Sequence, residues 1–174
     1  TAGMASDSEP LCLGGVGAQG YTDAVSVYLG FCVSKSADYW SNLCTWRSDP
    51  KNLGVGHVFA RQAIPMVWDF AEANPFSKSS GNFLTSLDWI VRVVRELPSV
   101  TSGEIRQVDA QSVEYPAGAV ISTDPPYYDS IPYADISDFF YSWIRGALRS
   151  VFPDQLHTIA VPKMEELVAD RMRH

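Results

Sequence analysis

The run Asp124-Pro125-Pro126-Tyr127 puts a carboxylate, two exposed carbonyls and an aromatic ring on one short turn. Those groups suit one kind of chemistry, methylation of an exocyclic amino group. Such an amine is a poor nucleophile because its lone pair is delocalised into the base. The Asp124 carboxylate and the Pro125 carbonyl, accepting its two hydrogens, favour a pyramidal nitrogen whose lone pair attacks the methyl of S-adenosylmethionine directly. A base inside a duplex is out of reach, so it is flipped out and stacked on an aromatic face, the task that falls to Tyr127. The plain alternative is a proline-rich turn in which Asp124 bonds its own backbone and Tyr127 packs on the surface.

Positioning such a turn requires a strand before it and a helix after it. Ala119-Val120-Ile121 leading into Ser122-Thr123 reads as a short buried strand, which the two prolines end because neither can donate to a ladder. The carboxyl ends of strands are where open α/β sheets bind ligands. After the turn, Ser130-Ile131-Pro132 reads as a helix start, with Asp135 and Asp138 near the positive end of the dipole. Ile136, Phe139, Phe140, Trp143, Ala147, Leu148 and Val151 continue it as one apolar stripe.

The surrounding blocks carry a resemblance. Met66-Val67-Trp68-Asp69-Phe70-Ala71-Glu72-Ala73-Asn74-Pro75-Phe76, then Asp124-Pro125-Pro126-Tyr127-Tyr128-Asp129, then Tyr133-Ala134-Asp135-Ile136-Ser137-Asp138-Phe139-Phe140 resemble the adenine-specific DNA methylases of prokaryotes. These are amino-group DNA methyltransferases with an Asp/Asn/Ser-Pro-Pro-Tyr/Phe motif, and the resemblance runs from about Tyr21 to Val168. It implies a Rossmann-like α/β, S-adenosylmethionine-dependent methyltransferase region with several long helices. Asp124, Pro125, Pro126 and Tyr127 become its catalytic residues, and DNA its partner. Tyr128, Asp129 and Tyr133 stand near enough to the turn to be substrate contacts, although surface packing explains each nearly as well.

Two cofactor assignments follow from the resemblance, each with a plain rival. Asp109 ends the strand candidate Gly103–Asp109 and would meet the cofactor's adenine; the rival is a turn or helix cap. Asn74-Pro75-Phe76 would line the cofactor pocket with Phe76 on a purine; the rival is a helix stop, because proline disfavours helix at the residue before it. A parallel pairing of the two strands would need an unusually brief crossover through residues 110–118.

The family's methionine-binding glycine loop is missing on both sides of Asp124. Gly15-Val16-Gly17-Ala18-Gln19-Gly20 matches a dinucleotide fingerprint, but only Leu11-Cys12-Leu13 precedes it, too short for the buried strand that positions such a loop. The chain is therefore expected to be the catalytic-motif portion of a longer protein, with residues 1–20 a flexible lead-in and 21–174 a partial methyltransferase domain. Cofactor binding and activity by this portion alone are left open. Its incomplete sheet would favour self-association through exposed edges. A noncatalytic helical interaction module that has kept the turn is the alternative of a different class. Methylation of RNA or of a protein amide is a third reading.

At 174 residues and 46% hydrophobic content, the chain can bury one sizeable core. No apolar run approaches a membrane span. Cys12, Cys32 and Cys44 form no C-x-x-C pair, which suits a reducing cytoplasm and no metal knuckle. A net charge of -7 argues against a broad grip on a polyanion, and Arg92, Arg95 and the tail Arg171-Met172-Arg173-His174 are too sparse for a footprint. Upstream, a helical period from Thr22 to about Trp46 has Thr22 as its cap, and a second helix is expected over Asn82–Leu97. Residues 58–70 read as a helix kinked or broken at Pro65.

Overall fold

A computed structural model describes residues 3–98, 103–106, 108–124, 127 and 131–164. Its elements, in chain order, are a 3-10 turn over Leu11–Leu13, helix α1 over Ala18–Ala37, strands β1 over Trp46–Arg47 and β2 over Gly54–Val55, helix α2 over Phe83–Glu96 and helix α3 over Tyr133–Leu148. The strands pair antiparallel, Trp46 with Val55 and Arg47 with Gly54, as a two-stranded hairpin. α1 is the shared partner, packing against α2 on one side and α3 on the other.

α1 begins four residues before the expected cap, with Gly17 as N-cap. Its start is held from outside. The Leu11 N–H donates to Asp23 Oδ2 at 3.0 Å, and Gln19 Nε2, one turn earlier in α1, donates to Asp23 Oδ1 at 2.8 Å, so a buried carboxylate in α1 is satisfied partly by the chain that leads into the helix. Residues 10–17, expected to form part of a flexible lead-in, carry the 3-10 turn and lie packed on the helix. The far end is early as well, at Ala37 rather than Trp46. The Asp38 carbonyl, which would accept an amide four residues on, instead accepts the Val58 N–H at 2.9 Å. A tertiary bond has replaced the helical one.

α2 follows its sequence pattern closely. Asn82 caps it by accepting the Thr85 N–H at 2.8 Å. Trp40 Nε1 donates to the Gly81 carbonyl at 2.8 Å, and the Trp40 ring lies 6.3 Å from Phe83, so the entry to α2 is pinned beside the end of α1. Gly81 takes φ +83° against the Tyr39 ring, a conformation and a closeness that suit only glycine.

The core sits at the α1–α3 crossing. Leu148, Val151 and Leu156 form its buried cluster, with Leu11, Val27, Tyr141, Ile144 and Phe152 packed around it. Gly30 is the point of closest approach, since a Cβ there would stand 3.1 Å from Leu148. Past α3 the chain folds back along it. Val161 N–H donates to Asp138 Oδ1 at 2.8 Å, Lys163 pairs with Asp138 and Asp135, and the Thr158 carbonyl accepts from Tyr141 and Arg145.

Three expected elements take another form. Residues 58–70 hold turns rather than helix, because the Val58 and Phe59 amides are both engaged by Asp38 and Pro65 interrupts the segment beyond them. The segments expected as strands, 103–109 and 119–123, have no ladder partner among the described residues and form no strand there. Val120 is 96% exposed, so the run expected to be buried meets water, and Ile105 of the other segment is 97% exposed. The described sheet is thus the β1–β2 hairpin alone, without a parallel pair. Trp143, expected on the core stripe of α3, is exposed, while Tyr141 and Ile144 face the core.

Candidate functional site

The tetrapeptide ends six residues before α3 begins. Asp124 and Tyr127 are both exposed, Tyr127 at 84%. Pro125, Pro126, Tyr128 and Asp129 lie outside the described residues. Tyr133, the first residue of α3, is exposed at the helix head, and its N–H donates to the Ile131 carbonyl at 2.9 Å.

The residues expected to meet a cofactor do not gather. Asn74 Oδ1 accepts the Phe76 N–H at 2.9 Å, and its carbonyl accepts the Ser77 N–H at 3.1 Å, an Asx turn with no helix before it. Phe76 stands 90% exposed. Asp109 Oδ1 accepts the Gln111 N–H at 2.9 Å, and its carbonyl accepts from Ser112 and Val113. Both side chains therefore cap their own turns. Apart from that Asn74–Phe76 bond within one turn, no hydrogen bond, ion pair or ring contact among the described residues joins Asn74, Phe76, Asp109, Asp124 and Tyr127 to one another.

The glycine fingerprint has a structural explanation. A Cβ on Gly17 would lie 2.2 Å from an Asp7 carboxylate oxygen, one on Gly20 would lie 2.1 Å from the Gly15 carbonyl, and one on Gly15 would lie 1.9 Å from the Glu9 carbonyl. Gly15 and Gly20 let backbone pass against backbone, and Gly17 leaves room for the Asp7 side chain. At the N-terminus of α1, where a phosphate would be attracted, the protein's own carboxylate already stands.

The polar group that sequence reasoning missed gathers at the end of α1. Asp38 Oδ2 lies 3.1 Å from His57 Nδ1, and Asp38 Oδ1 accepts the Phe59 N–H at 2.9 Å. The Tyr39 ring sits 5.7 Å from the imidazole. Behind them, Cys44 donates its S–H to the Asp38 carbonyl at 3.4 Å and is pushed up in pKa, chiefly by burial. Phe59 rests on Phe139 and Phe140 at 5.2 and 5.0 Å, anchoring this loop to α3. His57 lines a cleft of about 450 Å3 together with Val58, Arg61 and Pro65. No local spacing links Asp38 to His57 across nineteen residues, so the pair had no signature to find.

Arg92 pairs with Asp88 at 2.7 Å and lies over Trp89 at 5.4 Å, which accounts for it as a helix-surface residue. No helix among the described residues is long and apolar enough to cross a membrane. No group of three or more His, Cys, Asp or Glu among them is arranged to hold a metal ion. No family model, no curated protein and no solved structure matches this chain.

Proposed function

We propose that the Asp124–Tyr127 turn performs amino-group methylation of adenine in DNA, as part of a Rossmann-like methyltransferase domain. The observation that carries the reading is the tetrapeptide itself, a carboxylate and an aromatic ring three residues apart around two prolines, with both side chains open to solvent. S-adenosylmethionine supplies the methyl group when bound. Asp124 accepts one hydrogen of the amine and the Pro125 carbonyl the other, and Tyr127 holds the flipped base by stacking. An exposed ring suits that role, because stacking needs an uncovered face.

The test is transfer of a radiolabelled methyl group to duplex DNA by the protein that carries this chain, followed by identification of N6-methyladenine. Asp124→Ala is expected to lower the rate by about a hundredfold or more, the range seen when one preorganised polar group is removed from a reacting centre. Tyr127→Ala is expected to weaken DNA methylation while leaving the fold intact. An Asp124→Ala protein that methylates DNA at the unaltered rate overturns the reading.

A second reading, a noncatalytic helical interaction module, draws support from a different observation. Val25, Tyr28 and Leu29 of α1 and Leu87, Ile90 and Val91 of α2 line an open apolar groove of about 360 Å3. This reading predicts no binding of S-adenosylmethionine and no methyl transfer to DNA, RNA or protein.

A further inference from the structure

The cleft beside His57 has the makings of an anion site. Its walls are mainly apolar, from Leu43, Val58 and Pro65, and its volume of about 450 Å3 lies in the range of small-molecule sites. Two nitrogen-bearing side chains line it, His57 and Arg61. Arg61 is exposed and forms no ion pair among the described residues, although the chain carries 20 acidic residues against 13 basic ones.

The imidazole is held from two directions. Asp38 Oδ2 takes Nδ1 at 3.1 Å, and the same carboxylate is fixed through Oδ1 by the Phe59 N–H at 2.9 Å. With Nδ1 committed as a donor to Asp38, Nε2 is the nitrogen left for a ligand. The Tyr39 ring at 5.7 Å limits its tilt.

We propose that this cleft binds a small anion carrying an apolar body. Its phosphate or carboxylate is held by the Arg61 guanidinium beside the Nε2 edge of the His57 ring, and its body lies on Leu43, Val58 and Pro65. Guanidinium recognises both oxyanions through paired N–H donors, so phosphate and carboxylate share the site's chemistry. The proposal is independent of the methyl-transfer reading, because it uses none of the residues of the turn.

Calorimetric titration of the chain with phenyl phosphate and with 3-phenylpropanoate separates the two oxyanions, with inorganic phosphate and benzyl alcohol as probes of the head and the body alone. At least one of the first two is expected to bind with a Kd below about 1 mM, and each of the latter at least tenfold more weakly. Arg61→Gln, at an exposed position that leaves the fold untouched, is expected to weaken binding at least tenfold, as is His57→Gln. Far-UV circular dichroism checks that both variants keep their helices. Failure of both phenyl anions to bind, or wild-type affinity in Arg61→Gln, overturns the proposal. Equal affinity for inorganic phosphate overturns the role of the apolar walls.

Discussion

At the scale of single residues, the three cysteines divide sharply. Cys32 and Cys44 have no exposed surface, whereas Cys12 is open to solvent. Burial raises both buried thiols above their ordinary pKa, with Ser36 opposing the shift at Cys32 and the Ser41 backbone opposing it at Cys44. A thiol whose folded pKa is raised releases its proton first in the unfolded chain. Its contribution to stability is therefore full below the ordinary thiol pKa and is lost as pH climbs towards the raised value. Denaturant unfolding is expected to show stability falling through that alkaline window, with Cys32→Ala flattening the fall. Ellman's reagent at neutral pH is expected to label one thiol quickly in the folded protein and three after unfolding. Rapid native labelling of all three would contradict the burial.

Among elements, the α1–α3 crossing makes the sharpest prediction. Gly30 lies mid-helix, where alanine is ordinarily better by about 1 kcal/mol. The added methyl would meet Leu148 at 3.1 to 3.2 Å, and Leu148 is only 2% exposed inside the core cluster, with little room to yield. Overpacking of that kind costs about 1–3 kcal/mol, so Gly30→Ala is expected to destabilise the protein by about 1 kcal/mol net. In a Leu148→Ala background the clash is gone and the same change is expected to stabilise. A double-mutant cycle by denaturant unfolding measures both signs, and an additive cycle would exclude the contact.

The elements also divide by how far sequence could reveal them. α2 was legible because its signals are local: the stripe of Phe83, Leu87, Ile90 and Val94, and Pro98 as a stop. α3 was legible for the same reason, with Pro132 before its first turn. The ends of α1 were not, since Asp23 reaches back to Leu11 and the Asp38 carbonyl turns to Val58, partners 12 and 20 positions away. The strand readings at 103–109 and 119–123 rested on apolar runs that need a ladder partner, and no described residue provides one. At the candidate site, the tetrapeptide was visible as a motif; Asp109 took the turn-capping role named as its rival, and Asn74 caps a turn that no helix precedes. The Asp38–His57 pair is created by the fold and leaves no trace in spacing.

For the whole molecule, the telling quantity is surface. A globular monomer of 19.2 kDa exposes about 8,400 Å2 by the relation between area and mass. This chain exposes 13752 Å2. The exposed side chains include large apolar ones, among them Leu84, Trp89 and Val93 of α2 and Val25 and Leu29 of α1. Patches of that kind mark surfaces that associate. The isolated chain is expected to brighten the dye 8-anilinonaphthalene-1-sulfonate and to sediment faster as its concentration rises. Leu29→Lys with Val91→Lys, placed in the α1–α2 groove, is expected to reduce both effects. A dye-silent monomer at all concentrations would refute the prediction.

The glycine contacts at the start of α1 bear on tolerance to change. In most proteins, bulky apolar positions resist substitution and glycines near a terminus accept it. Here the order is reversed. Gly15, Gly17 and Gly20 each sit where a single methyl would run into backbone or a carboxylate, whereas Trp68, Phe76 and Val120 meet little but solvent. For folding alone, Gly15 and Gly20, which face backbone, are the positions this chain can least afford to vary, while the Asp7 side chain can swing away from Gly17 and several of the largest side chains are free to drift.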